Sequence, residues 1–291
     1  MTAPTATTTT AVSDPDVAPA PPTPGRGSLG AAGGRSRLGW AVSDALAITW
    51  RNLIGFTRIP ELVVFSSIQP IMFVLLFRYV FGGAIRPPGL NYVDFMMPGI
   101  FVQTVCFGAV GTGIGLAEDM GKGLVERFRS LPMARSAVLA GRTTADLCRN
   151  LFVVVLMTLV GLAVGFRVHT GLFSFLAGAG VLLLFAYALS WAFAVLGLSA
   201  RNAETAQAMS FPLLFPLTFA SSAFVPVQSM PGWLQAFARH QPVSVVVDAT
   251  RALMVGGPGP TAGPVFQALV WGVGILAVFA PLAVRKYRQT V

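Results

Sequence analysis

Long apolar stretches alternate with short polar ones along this chain, and the alternation sets its architecture. Six runs stand out: Leu62 to Phe81, Pro98 to Leu116, Leu147 to Phe166, Leu172 to Leu198, Met209 to Val227 and Val265 to Val284. Each is about 20 residues or somewhat longer, and at about 1.5 Å per residue such a run crosses a hydrocarbon core of roughly 30 Å. Core helices of soluble proteins are usually shorter and wet along one side. The pattern predicts an all-α integral membrane protein with six transmembrane helices.

The segments between the runs add further elements. From Ser43 to Arg58, the residues Leu46, Trp50, Leu53, Ile54 and Thr57 recur at helical spacing, with Asp44, Arg51, Asn52 and Arg58 largely off that stripe. Ser43 is the expected N-cap. An N-terminal amphipathic helix of this kind is expected to lie in the membrane interface, because extending the first span backwards would drive Arg51, Arg58 and Glu61 into lipid. Glu118 to Arg149 is the longest polar interruption. Glu118, Lys122 and Glu126 are spaced to form a charge ladder on one helix face. Pro132 should end or kink that helix, and a second helix is expected from near Ser130 through Asp146 into the third span.

Ser229 to Gly257 is too long and too apolar for a plain loop. It predicts a helical hairpin: one helix capped by Ser229, with Pro231 in its first turn and Trp233, Leu234 and Phe237 on one side. Pro242 breaks it, and Val243 to Met254 form a second helix ending at Gly256. About 12 apolar-rich residues are too few to span, so the hairpin is expected to re-enter from the outer face and pack over the spans. Pro212 and Pro216 should bend the fifth run.

Charge supplies an orientation. With the N-terminus inside, 15 of the 20 basic residues fall on the cytoplasmic side and only Arg78, Arg86, Arg167, Arg239 and Arg251 outside. The positive-inside rule reads this as both termini cytoplasmic. The net charge of +9 is thus topological and gives no reason to expect nucleic acid. A hydrophobic fraction of 54% and a charged fraction of 11% agree. Residues 1–37, rich in Ala, Thr, Pro and Gly, are expected to be a disordered cytoplasmic tail ahead of a membrane domain at 38–291. The tail has no apolar segment typical of a signal peptide. Cys106 and Cys148 sit at different depths and are expected to be free thiols.

The chemistry that is missing narrows the function. There is no phosphate-cradling Gly-rich loop, no His-Glu-x-x-His and no nucleophile elbow. His169 and His240 lie in separate external segments and read as interfacial polar residues. None of the eleven acids falls mid-span, so an ion-coupled secondary transporter lacks its usual coupling group. The mid-span polar groups are neutral, and Gln69, Gln103, Thr104, Thr218, Ser221 and Ser222 are the candidates for a substrate path. Gly111-x-x-x-Gly115 permits close helix approach but does not by itself establish a dimer.

Two segments carry a resemblance. The first is Glu118-Asp119-Met120-Gly121-Lys122-Gly123 followed by Glu126-Arg127-Phe128-Arg129-Ser130-Leu131-Pro132-Met133-Ala134-Arg135-Ser136. It resembles the signature of ABC-2 type permeases, the membrane halves of ATP-driven exporters, although Val125 stands where Leu often precedes the Glu. The second is Phe224-Val225-Pro226-Val227-Gln228-Ser229-Met230-Pro231-Gly232-Trp233-Leu234, with Gln241-Pro242 and Ala249-Thr250-Arg251 after it. It resembles the family's external segment before the last span. The similarity covers roughly residues 38 to 291 and is greatest to the daunorubicin-resistance type.

The resemblance implies a non-catalytic permease that pairs with a second copy or paralogue. A separate cytoplasmic ATPase subunit would drive it and hold the ATP and Mg, leaving this chain without a cofactor. It further implies that Glu118, Asp119, Lys122, Glu126, Arg127 and Arg129 of the loop, with Arg51 of the interfacial helix, contact that ATPase. The implied cargo is a hydrophobic drug, antibiotic or lipid moved outward. A polysaccharide or lipid-linked glycan is the alternative, which a wide channel lined by aromatic residues would favour.

Overall fold

The computed structural model of the protein describes residues 37–58, 60–82, 90–122, 135–256, 259 and 261–290. Among them are nine α-helices and no strand. They are α1 (Arg37–Arg58), α2 (Pro60–Leu76), α3 (Tyr92–Gly121), α4 (Arg135–Val164), α5 (Leu172–Gly197), α6 (Ala203–Phe219), α7 (Gly232–His240), α8 (Pro242–Met254) and α9 (Ala262–Thr290). A π-helical turn, Phe77–Phe81, continues α2. Helices α3, α4, α5 and α9 are long and apolar enough to cross a membrane. The first and fifth runs fall on α2 with its π turn and on the 17-residue α6. The tail expected at 1–37 lies outside the described residues except for Arg37. So does 123–134, with Glu126, Arg127, Arg129 and Pro132.

Helix α3 is the centre of the bundle. Met96, Met97, Ile100, Phe101, Val105 and Cys106 have no exposed surface, and α3 packs against α4, α5, α6 and α8. Neither Cys106 nor the half-buried Cys148 is bridged. By contrast, α9 packs on α5 and α8 but leaves Phe266, Val270, Trp271, Val273 and Val278 exposed, the surface a lipid-facing helix presents. In lipid, close packing replaces the hydrophobic drive, so small residues mark helix crossings. At the α3–α5 crossing, a Cβ on Gly113 would lie 2.6 Å from the Phe193 carbonyl oxygen. One on Gly197 would meet the Gly113 carbonyl in turn.

Helix α4 ends where Gly165, at φ +106°, turns the chain left-handed. The Phe166 amide then donates to Gly161 O (2.8 Å) and the Gly165 amide to Leu162 O (3.3 Å), a Schellman closure. Gly256, at φ +81°, closes α8 at the residue where the sequence predicts its end.

Three boundaries differ from the sequence expectation. Helix α1 begins at Arg37, so Ser43 lies inside it and caps nothing. No proline interrupts 37–42, and Ser inside a helix is only mildly unfavourable. On α1, Ile48 and Thr49 are buried on α4, with Thr49 Oγ1 donating to Gly141 O at 3.0 Å. The predicted stripe points elsewhere: Leu46 and Trp50 are 60% and 68% exposed.

Helix α6 stops at Phe219, whereas the apolar run continues to Val227. Gln241 Nε2 donates to Leu217 O (2.8 Å) and Ala220 O (3.1 Å), satisfying terminal carbonyls that another turn would otherwise have used. Finally, Ser229 closes a short 3₁₀ turn, its hydroxyl donating to Pro226 O at 2.7 Å, and α7 starts only at Gly232. Trp233 and Phe237 of α7 are exposed. In α8, Val243, Val245, Val246, Val247, Ala249 and Met254 are buried against α3, α5 and α9.

Candidate functional site

Polar side chains gather at the two ends of the bundle. At the end carrying α1, they join α3 to α4. Lys122 pairs with Glu118 one turn back (2.6 Å), both side chains being more than half exposed. That hydrogen bond and the carboxylate's charge push the Lys122 ammonium pKa up from its ordinary value. Deeper in, Asp119 of α3 pairs with Arg142 of α4. Deeper still, Asp146 accepts from Thr112 Oγ1 (2.6 Å) and pairs with Arg149 (3.2 Å), while Arg149 Nη2 also donates to Gly108 O (2.8 Å).

Glycines make room for this zipper. A Cβ on Gly115 would collide with the Arg142 guanidinium, one on Gly108 with the Asn150 amide oxygen, and one on Gly111 would sit 3.4 Å from Arg149 Nη2. The Gly111-x-x-x-Gly115 groove is therefore occupied by arginines of the same chain.

At the hairpin end, Arg251 of α8 organises three segments. Its Nε donates to Phe95 O (3.1 Å), Nη2 to Ser222 O (2.8 Å) and Nη1 to Asp248 Oδ1 (2.9 Å). Its guanidinium carbon lies 4.0 Å from the Phe95 ring centroid, a cation–π geometry. Ser222 Oγ also donates to Asp248 Oδ1 (2.7 Å), and Ser244 Oγ accepts from the Ser222 amide (3.1 Å). Nearby in sequence to Phe95, the buried Asp94 accepts from the Arg167 amide (2.9 Å) and pairs with His169 (3.0 Å). A cavity of about 720 Å³ opens here, lined by Leu90, Phe95, Ser222, Val227, Asp248 and Arg251 among others.

A ladder of rings adjoins this end, and a second cavity lies among α5, α6, α8 and α9. Phenylalanine rings form a ladder from the π turn into α6: Phe77 stacks on Phe224 (4.4 Å), Phe224 on Phe219 (5.7 Å) and Phe219 on Phe215 (5.4 Å). A smaller cavity of about 160 Å³, lined by Phe185, Phe193, Leu213, Leu217, Val243 and Phe279, is almost wholly apolar.

The sequence pattern of the ABC-2 type transporter family matches residues 44–255. The chain belongs to the ABC-2 type transporter family. A daunorubicin resistance ABC transporter permease protein of Streptomyces coeruleorubidus is 38% identical over 89% of this chain and 90% of its own length. A protein of Mycobacterium tuberculosis named "probable doxorubicin resistance ABC transporter permease protein" is 32% identical over 85% of this chain and 89% of its own. A doxorubicin resistance ABC transporter permease protein of the same species is 30% identical over 68% of each chain. This ABC-2 member is thus a multi-pass membrane protein.

Of the residues that the sequence assigns to ATPase coupling, Glu118, Asp119 and Lys122 come together on the last turn of α3. Arg51 sits on the exposed side of α1, 3.4 Å from the Asn52 amide oxygen. Glu126, Arg127 and Arg129 lie outside the described residues. Of the six path candidates, Ser222 lines the larger cavity and the other five do not. Gln69 is exposed on α2, and Gln103 is buried on α3 beside the half-buried Thr104. Thr218 and Ser221 donate to the carbonyls of Leu214 (2.9 Å) and Thr218 (2.5 Å).

Sequence reasoning missed Arg142, Asp146 and Arg149 as an interlocking set, and Asp248 with Arg251 as a cavity wall. The first had a signal. Arg142, Asp146 and Arg149 recur at helical spacing opposite glycines that do the same. The second depends on contacts between residues more than 20 apart in sequence, with no local periodicity to mark them.

Proposed function

We infer that the chain is the membrane-spanning permease subunit of an ATP-binding-cassette exporter that moves a hydrophobic drug, antibiotic or lipid out of the cell. The carrying observation is the 38% identity, over nearly the full length of both chains, to a permease named for daunorubicin resistance. The apolar cavity and the exposed phenylalanines of α6 suit such a cargo. In this reading the chain crosses the membrane six times, with α2 and α6 as the first and fifth spans and α7–α8 re-entering from outside. Helix α1 lies in the cytoplasmic interface on its Leu46–Trp50 side, and both termini are cytoplasmic.

A separate ATPase supplies ATP hydrolysis with its own Mg, and two permease chains pair around the path. Glu118, Asp119, Lys122 and the residues that follow, with Arg51, form the docking surface, because the charged tip of α3 meets the amphipathic α1 across α4.

The test is ATP-dependent uptake of a fluorescent hydrophobic drug into inside-out vesicles that hold the chain and its ATPase. Uptake that ignores ATP overturns the reading, as does ATP hydrolysis that persists in the pure chain. Single cysteines at Gly121 and Ser229, in a background lacking Cys106 and Cys148, should label from opposite sides. A glycan permease remains the second reading, because stacked phenylalanines suit sugar rings. Export of a lipid-linked glycan in place of drug by the same vesicles would select it.

A further inference from the structure

The cavity at the hairpin end has a wall whose chemistry is more specific than an apolar pocket. Asp248 and Arg251 face it together, yet they are not equally available. The Arg251 side chain is 12% exposed, whereas that of Asp248 is 46% exposed. The guanidinium is used up inward by two backbone carbonyls, one carboxylate oxygen and the Phe95 ring. What remains on the cavity side is therefore the acid.

The carboxylate is also held in one orientation. Both of its protein donors, Ser222 Oγ and Arg251 Nη1, land on the same atom, Oδ1. Oδ2 receives no hydrogen bond from the described residues. An ionised carboxylate offers about four acceptor sites over two oxygens, so half of this group's capacity is unspent beside a space large enough for a ligand. Around it stand Leu90, Phe95, Pro226 and Val227, an apolar surface that would take the hydrocarbon body of a ligand.

We propose that this cavity binds an amphiphile carrying a protonated amine, with Asp248 Oδ2 as the acceptor of the ammonium group and Phe95, Leu90, Pro226 and Val227 as the bed for its apolar body. An amine is favoured over a neutral polar head because a charge-assisted N–H···O⁻ contact is roughly twice as strong as a neutral one. An anion is disfavoured because the exposed member of the pair is the acid. Naming this amine as cargo rests on the exporter reading; the binding chemistry does not.

The experiment uses the full chain in phosphatidylcholine nanodiscs and three fluorescent probes. Dansylcadaverine carries a primary ammonium, its N-acetyl derivative is neutral, and dansyl-aminohexanoate is anionic. After subtraction of empty nanodiscs, dansylcadaverine should bind at least about tenfold tighter than the acetylated probe, equivalent to about 1.4 kcal/mol. Asp248→Asn, which keeps an oxygen for Ser222 and Arg251, should erase that preference. Val227→Trp, which leaves the Asp248–Arg251–Ser222 set intact but fills the cavity, should weaken both probes.

Equal affinities for the first two probes overturn the proposal. So does a preference that survives Asp248→Asn, or tightest binding by the anionic probe. Should Asp248→Asn fail to fold, undiminished binding in Val227→Trp is the overturning result. These titrations need neither ATP nor ATPase. Selective binding without ATP-driven uptake would sink the exporter reading alone. Uptake of dansylcadaverine unchanged by Asp248→Asn would sink the site alone.

Discussion

The two ends of the bundle use the same residue types in opposite ways. At the α1 end, acids and arginines join α3 and α4 chiefly through their side chains, and the outermost pair, Glu118 with Lys122, is exposed. At the hairpin end, Asp94 and Arg251 are tied to main chain. Asp94 takes the Arg167 amide, and Arg251 holds the carbonyls of Phe95 and Ser222. Side-chain pairs between two helices can re-form after a small slide of one helix along the other. A lattice that grips backbone from three segments fixes the chain path and resists such a slide. One end is suited to pass on a movement, the other to hold a shape.

The largest effect should follow from breaking the rigid end. Arg251→Met removes a partner from Asp248 and strands two carbonyls, which should destabilise the chain by about 3 kcal/mol. Arg251→Lys keeps the charge without the planar fork and should fall between. Thermal unfolding in detergent measures both, and an unchanged midpoint in Arg251→Met would remove the distinction between the ends. Next comes the α3–α5 crossing. Gly113→Ala places a Cβ 2.6 Å from the Phe193 carbonyl and should cost about 1–3 kcal/mol. Gly121→Ala, with open space around it, should change little.

These two positions also show what the sequence conveys and what it does not. Hydropathy locates the segments that become α3, α4, α5 and α9 because twenty apolar residues have few alternatives to a membrane helix. Pro242 and Gly256 bound α8 as read, because their backbone restrictions act locally. Gly113 and Gly111 look alike in sequence, yet one meets backbone of α5 and the other an arginine of α4. Ser229 reads as a cap because Pro231 follows it, but the preceding turn claims its hydroxyl. The end of α6 depends on Gln241, more than 20 residues away, and no local pattern announces that. The candidate site divides similarly: the acid–lysine spacing at Glu118 and Lys122 is visible in one dimension, whereas the Asp248 wall exists only after folding.

A smaller effect should come from Asp119 with Arg142. Both side chains are about a quarter exposed (25% and 23%), so solvent screens the pair. Asp119→Asn should cost about 1 kcal/mol or less. The exchange Asp119→Arg with Arg142→Asp should recover more stability than either single reversal does. If the double variant is no better than the sum of the singles, the zipper between α3 and α4 is not electrostatic.

The smallest effect on stability, and the sharpest on coupling, is expected at Glu118 and Lys122. Both are exposed, so neither Glu118→Lys nor Lys122→Gln should move the unfolding midpoint. Nor should pH. A lysine whose pKa is raised in the folded state contributes stability that is present below its ordinary value of 10.5 and lost only as pH rises through the higher folded value. The Lys122 ammonium therefore stays charged across the neutral range. What should change is the response to the ATPase, since a reversed charge at a docking surface acts on partner binding with no effect on the fold. Glu118→Lys should lower ATP-driven export by about tenfold or more while insertion and expression survive, with weaker ATPase capture or hydrolysis without export. Glu126→Lys, on spacing alone, should do the same. Export at the parental rate in both variants would show that the exposed Glu118–Lys122 pair and Glu126 take no part in coupling, and that the contrast between the two ends concerns stability only.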